Sequence, residues 1–159
     1  MFEAYLDIET TGLSLTDGKD HKLIQLVDEE ITGSNLLEAL QDVEVIYTYN
    51  GSRFDLPFIK MSLGMDLARH CKHHDLMLDC WKINLYGGLK ALEARLGIKR
   101  QLANVNGAKA IELWLKYKAS QDQNFLATLL KYNEEDVLNL KSLKEELSYI
   151  LNSQPGEKV

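Results

Sequence analysis

Residues 5–13 read Tyr-Leu-Asp-Ile-Glu-Thr-Thr-Gly-Leu and place two carboxylates, Asp7 and Glu9, inside an otherwise apolar run. The run has strand character, and on a strand residues two apart point to the same face. Like charges on one face repel each other, and burying them unpaired is costly. Exposure on an edge strand, a pair of basic partners, or a metal ion would relieve that cost. Tyr5, Leu6 and Ile8 are residues of a buried strand, which weighs against exposure. Thr10, Thr11 and Gly12 follow with small side chains, a composition that lets a ligand approach the backbone closely.

Two further acids stand in comparable settings. The β-branched and aromatic run 43–49 reads as a buried strand that Asn50-Gly51 ends in a turn. Asp55 then opens a helical pattern, where its structural role would be an N-cap. In Tyr-Asn-Glu-Glu-Asp (132–136), Tyr132 and Asp136 are four apart on a long helical pattern, hence on one face. Leu129, Val137 and Leu140 turn that face toward the core, whereas Glu134 and Glu135 are residues of a solvated surface. Each feature alone has a structural reading. Together, acids at a strand, a helix start and a late helix can converge at the end of one sheet. Hard oxygen ligands of this kind suit Mg²⁺ or Mn²⁺ rather than zinc. Two such ions support in-line attack on a phosphodiester, one activating water and one stabilising the leaving oxygen. Tyr132 would bring its hydroxyl near the attacking water.

The bulk properties set the frame. The chain has 159 residues, is 45% hydrophobic and carries a net charge of −6. That length suits one domain with a real core. The charge is polarised: two Lys/Arg face eleven Asp/Glu in residues 1–50, and nine face five in residues 51–100. An acidic balance does not exclude an anionic substrate where metal ions supply the positive charge. No apolar run reaches a membrane span, and the N-terminus lacks a signal-peptide pattern. Cys71 and Cys80 are too few for a disulfide framework, so a cytoplasmic protein with reduced thiols is expected. Strands are expected at 3–8, 21–27 and 43–49, and helices at 34–40 (capped by Ser34 or Asn35), after Asp55, at 88–97, 107–119 and 125–151. Residues 74–81 read as a strand or a strand-to-helix corner. One domain over 1–151 and a disordered tail at 152–159 follow. Three histidines and two cysteines within residues 70–80 lack the spacing of a zinc site.

In its motifs the sequence resembles the DEDD (DnaQ-like) 3′→5′ exonucleases of the RNase H-like superfamily, in the tyrosine form set by Tyr132. "DIETTGL", "YNGSRFDLPF" and "YNEED" are similar to the three motifs in order. "HHDL", "GGLKALEARLGIKR" and "NGAKAIELWLKY" look like the YprB-like branch of predicted nucleases. The resemblance implies an α/β fold, an RNase H-like mixed sheet flanked by helices, and two-metal hydrolysis at the 3′ end of single-stranded DNA or RNA. It implies catalytic roles for Asp7, Glu9, Asp55, Tyr132 and Asp136. Asp7 would bridge two divalent cations, Glu9 and Asp136 would hold the nucleophile-side ion, and Asp55 would bind the second. Thr10, Thr11, Gly12, Leu13, Asn50 and Phe54 would bind the terminal nucleotide.

One departure bears on this. Only eight residues separate Leu13 from Lys22, where the family has further hairpin strands. A shortened hairpin is therefore expected, with a very short strand before the Asp17-Gly-Lys-Asp20 turn or with one strand missing. Residues 22–28 would then pair beside strand 3–8, and the open edge would invite a homodimer. The alternative function is a catalytically impaired nucleic-acid-binding or scaffold module on the same fold.

Overall fold

The computed structural model describes residues 2–9, 12–17 and 23–153. Strand β1 (Glu3–Glu9) lies at the centre of a five-stranded sheet with β2 (Gly12–Asp17), β3 (Leu23–Val27), β4 (Val45–Thr48) and β5 (Lys72–Asp75). The order is β3-β2-β1-β4-β5. The β1–β2 and β2–β3 pairs are antiparallel, while β1–β4 and β4–β5 are parallel, so the sheet is mixed.

The missing-strand expectation is corrected by this topology. Gly12–Asp17 forms β2, in register with β1 from Ala4↔Asp17 to Glu9↔Gly12. Leu23–Val27 pairs with β2 and not with β1. Ser14 and Thr16 alternate with Leu13 and Leu15, and a strand hydrogen-bonded on both edges needs little more apolar content than that. With that strand in place, the edges of the sheet are β3 and β5. The turn assigned to residues 17–20 lies, beyond Asp17, outside the described residues.

Alternation along β1 divides the core. Ala4 and Leu6 pack in one cluster with Leu36 of α1 (Gly33–Ala39) and Ile59 of α2 (Asp55–Leu63). Tyr5 packs on the opposite face with residues of α3 (Leu76–Lys82), α4 (Leu89–Leu96) and α6 (Gln123–Ser153). The segment 74–81 is thus the corner, with Asp75 ending β5 and capping α3. Helix α5 (Gly107–Ser120) packs on the N-terminal part of α6 through Ala110, Leu113, Leu129 and Tyr132. At 31 residues α6 is about 46 Å long, enough to cross the sheet and carry Tyr132 and Asp136 past its end.

Caps explain most helix ends. Thr32, not Ser34 or Asn35, caps α1: its extended backbone lets the hydroxyl accept the Asn35 N–H at 3.1 Å. Gly97 stops α4 at a φ of 73°. Helix α6 continues through Ser153, and the rest of the expected tail, 154–159, lies outside the described residues. Among the described residues no helix is long and apolar enough to cross a membrane.

Candidate active site

The loop between β4 and α2 is held by Asp75. Its carboxylate accepts the N–H of Asn50 at 2.8 Å, the N–H and hydroxyl of Ser52 at 3.1 and 2.6 Å, and the N–H of Met77 at 3.1 Å. Asn50 takes a left-handed φ of 61°. Gly51 follows so close to β4 that a Cβ there would stand 2.1 Å from Thr48 Oγ1. This turn delivers Asp55 to the C-terminal end of β1, where its Oδ1 accepts the Ile8 N–H at 3.0 Å. Asp55 is therefore not the N-cap that its position suggests: Phe54 occupies that position and makes no side-chain cap bond. The helix start instead aims the carboxylate across to β1.

Burial is the main influence on Asp55, which is 6% exposed. It raises the carboxyl from its ordinary 3.8 to about 6, with a smaller push from Asp75, against the hydrogen bonds from backbone N–H groups. Asp7 sits on the α6 side of β1, where its Oδ2 accepts a hydrogen bond from the buried Asn133 amide at 2.8 Å. An amide donor supplied by the late helix thus accounts for part of what lets this strand carry a carboxylate.

Two cavities meet at Asp7. The first, about 270 Å³, is lined by Asp7, Ile8, Tyr49, Asn50, Phe54, Asp55 and Phe58. The second, about 500 Å³, is bordered by Asp7, Tyr49, Lys90, Asn106, Tyr132 and Asp136, with the start of α4. Asp7 and Tyr49 line both. Phe54, 71% exposed, stands at the rim of the first with its ring to solvent. Asn50 Oδ1 is buried there and has no hydrogen-bond partner among the described residues. Lys90 lies over the Tyr132 ring at 4.3 Å and also reaches the Val105 carbonyl.

Asp136 is buried, and burial raises its carboxyl against the lowering influence of Arg100. Arg100 Nη2 contacts Asp136 Oδ1 directly. The guanidinium also makes a two-point contact with Glu93, through Nε and through Nη2 at 3.0 Å. Burial pulls the arginine pKa down, but Glu93 and Asp136 more than reverse that and hold it cationic. Glu135 corrects the expectation of a solvated acid: it is buried, accepting the N–H groups of Gln101 and Leu102, the latter at 3.1 Å. A carboxylate that caps a neighbouring loop's donors has no need of water.

The donors present fit a hard divalent cation in kind. Asp7 and Asp55 border one cavity together with the unpartnered oxygen of Asn50, and Asp7 and Asp136 border the other. Among the described residues, no three acids, histidines or cysteines already converge as a cage. His73 contacts Thr48 Oγ1 at 2.8 Å, and His74 contacts Asp79 at 2.5 Å. Glu9 ends β1 opposite Gly12, but its side chain lies outside the described residues, as do Thr10, Thr11 and the side chain of Leu13. The structure thus brings Asn50, Phe54 and Asp55 to one side of Asp7, and Tyr132 and Asp136 to the other.

Asn133, Lys90, Glu93 and Arg100 join the site without a sequence signal of their own. Asn133 stands inside the third motif, one residue beyond Tyr132. Lys90, Glu93 and Arg100 lie within "GGLKALEARLGIKR", which carries the family resemblance without suggesting a role for any of them.

A family model described as RNase H superfamily matches residues 4–148. No curated protein and no solved structure matches the chain significantly. The match runs from β1 to near the end of α6, so the chain belongs to the RNase H superfamily.

Proposed function

We propose that the chain is a metal-dependent 3′→5′ exonuclease of the tyrosine DEDD type, acting on single-stranded nucleic acid. Superfamily membership carries nucleic-acid hydrolysis as the coarse activity. The observation that supports the finer reading is the position of Asp7 on the wall between two cavities. Asp55 borders one of them, and Tyr132 and Asp136 border the other. Two divalent cations, Mg²⁺ or Mn²⁺, would be held by Asp7, Glu9, Asp55 and Asp136, and when bound they supply Lewis-acid activation of water and charge stabilisation at the scissile phosphate.

The chain's own side chains orient the rest. Asn133 fixes the Asp7 carboxylate from the α6 side. The Tyr132 hydroxyl orients the attacking water, and Lys90 packs over its ring in a cation–π contact. Asn50 Oδ1 accepts a hydrogen bond from the terminal nucleotide, or ligates a cation. Phe54 offers an exposed ring for stacking on a base. Thr10, Thr11, Gly12 and Leu13 would bind the terminal sugar and phosphate, the role that the motif resemblance implies.

The second reading, a binding or scaffold module, is favoured by one observation: Arg100 holds the Asp136 carboxylate that the nucleophile-side ion needs. Incubation with labelled single-stranded DNA and RNA, in Mn²⁺ and in EDTA, separates the two. Metal-dependent release of mononucleotides, abolished in a folded Asp7→Ala variant, supports the nuclease. Retained nucleic-acid binding with no hydrolysis in Mn²⁺ supports the module.

A further inference from the structure

Arg100 follows α4 in the segment Gly97-Ile98-Lys99-Arg100, and its side chain is 6% exposed. It faces three buried acids: Glu93, Glu135 and Asp136. Glu93 takes the guanidinium in two contacts, the fork geometry that holds an arginine best. Glu135 stands 3.7 Å from Nη1 and is already satisfied by two backbone N–H groups. Nη1 itself has no hydrogen-bond partner among the described residues. Asp136 is the member of this group that also borders the cavity shared with Asp7 and Tyr132. Lys90, which borders the same cavity, adds a second positive charge near Asp136, so three negative charges face two positive ones.

We infer that Arg100 is a positioning residue that competes with the divalent cation for Asp136. The inference rests on the reading of Asp136 as a metal ligand. In the metal-free chain the guanidinium keeps Asp136 in place and neutralises it within a buried acidic group. When the cation binds, Asp136 leaves Nη2, and the two-point contact with Glu93 keeps the arginine from following. The competition raises the metal concentration at which the site fills, so that the chain stays closed to chemistry until metal is sufficient.

The test measures Mn²⁺ binding directly, by calorimetry and by the electron paramagnetic resonance of free Mn²⁺ at pH 8, on the full chain. Arg100→Gln removes the competing charge and is expected to bind Mn²⁺ about tenfold tighter or more. Arg100→Lys keeps a charge among the same carboxylates and is expected to stay within about threefold of wild type. A purely structural arginine predicts the opposite sign, because a misplaced Asp136 binds metal less well. Equal or weaker binding by folded Arg100→Gln overturns the inference, as does tightening of the same size in Arg100→Lys. Should Arg100→Gln fail to fold, the wild-type chain decides by nuclear magnetic resonance. The Arg100 Nη2–H signal, shifted by its bond to Asp136, is expected to move at saturating Mg²⁺, while the Nε–H held by Glu93 keeps its place. An Nη2–H signal that does not move while the chain binds Mg²⁺ overturns the competition and leaves the nuclease reading standing. A chain that binds no divalent cation in wild type or variants overturns both.

Discussion

Replacing Asp55 by asparagine is expected to make the chain more stable at neutral and alkaline pH while removing a proposed metal ligand. Asp55 is nearly fully buried, and its Oδ1 accepts the Ile8 N–H, a bond that an amide oxygen reproduces. Burial, helped by Asp75, raises its carboxyl from 3.8 to about 6. A carboxyl whose pKa is higher folded than unfolded binds its proton more tightly in the folded chain. The stability contributed by that proton is full below the unfolded pKa and is lost as pH rises through about 6. At about 1.4 kcal/mol per tenfold change, ionised Asp55 costs roughly 3 kcal/mol at pH 8. The amide of the Asp55→Asn variant carries no charge at any pH. The gap between variant and wild type therefore opens between about pH 4 and pH 6, reaching roughly 3 kcal/mol, or about 6–12 °C in melting midpoint for this size. Urea unfolding followed by circular dichroism in EDTA, from pH 4 to pH 8, measures it. A stability difference that is flat with pH, or a variant less stable than wild type at pH 8, would refute the reasoning.

Other substitutions read separate parts of the account. Asp75→Ala strips four donors of their acceptor and is expected to cost roughly 3–5 kcal/mol in urea unfolding. Gly51→Ala forces a Cβ toward Thr48 Oγ1 and is expected to cost roughly 1–3 kcal/mol. Its nucleolytic rate should fall too, because the turn carries Asn50 and Asp55. Tyr132→Phe keeps the ring in its apolar cluster, so melting should change little. Loss of the hydroxyl is expected to slow turnover roughly tenfold to a hundredfold in a steady-state nuclease assay.

The parts of the fold that are legible in the sequence are those with strong local patterns. The β1 and β4 runs, the glycine stop of α4 and the long periodic α6 all carry their signals in adjacent residues. Strand β2 is obscured because Ser14, Thr16 and Asp17 are also turn residues, and its strand state comes from pairing on both edges. Asp55 reads as a cap because helix starts favour acids, yet its partner is Ile8, far away along the chain. Arg100 gives no local signal at all. Its partners are seven, thirty-five and thirty-six residues away, and only the docking of α4 on α6 makes them neighbours. Glu135 reads as a surface acid for the same reason, since its backbone donors come from the loop at Gln101 and Leu102.

The most direct test of the central claim is the polarity of cleavage. Single strands labelled at either the 3′ or the 5′ end should be digested with Mn²⁺ by the wild-type chain. Immediate release of labelled mononucleotide from the 3′ end, with 5′-labelled strands shortening one nucleotide at a time, is the predicted result. Both should stop in EDTA and in Asp7→Ala. Release starting from the 5′ end, internal cutting, or hydrolysis undiminished in Asp7→Ala would contradict the account.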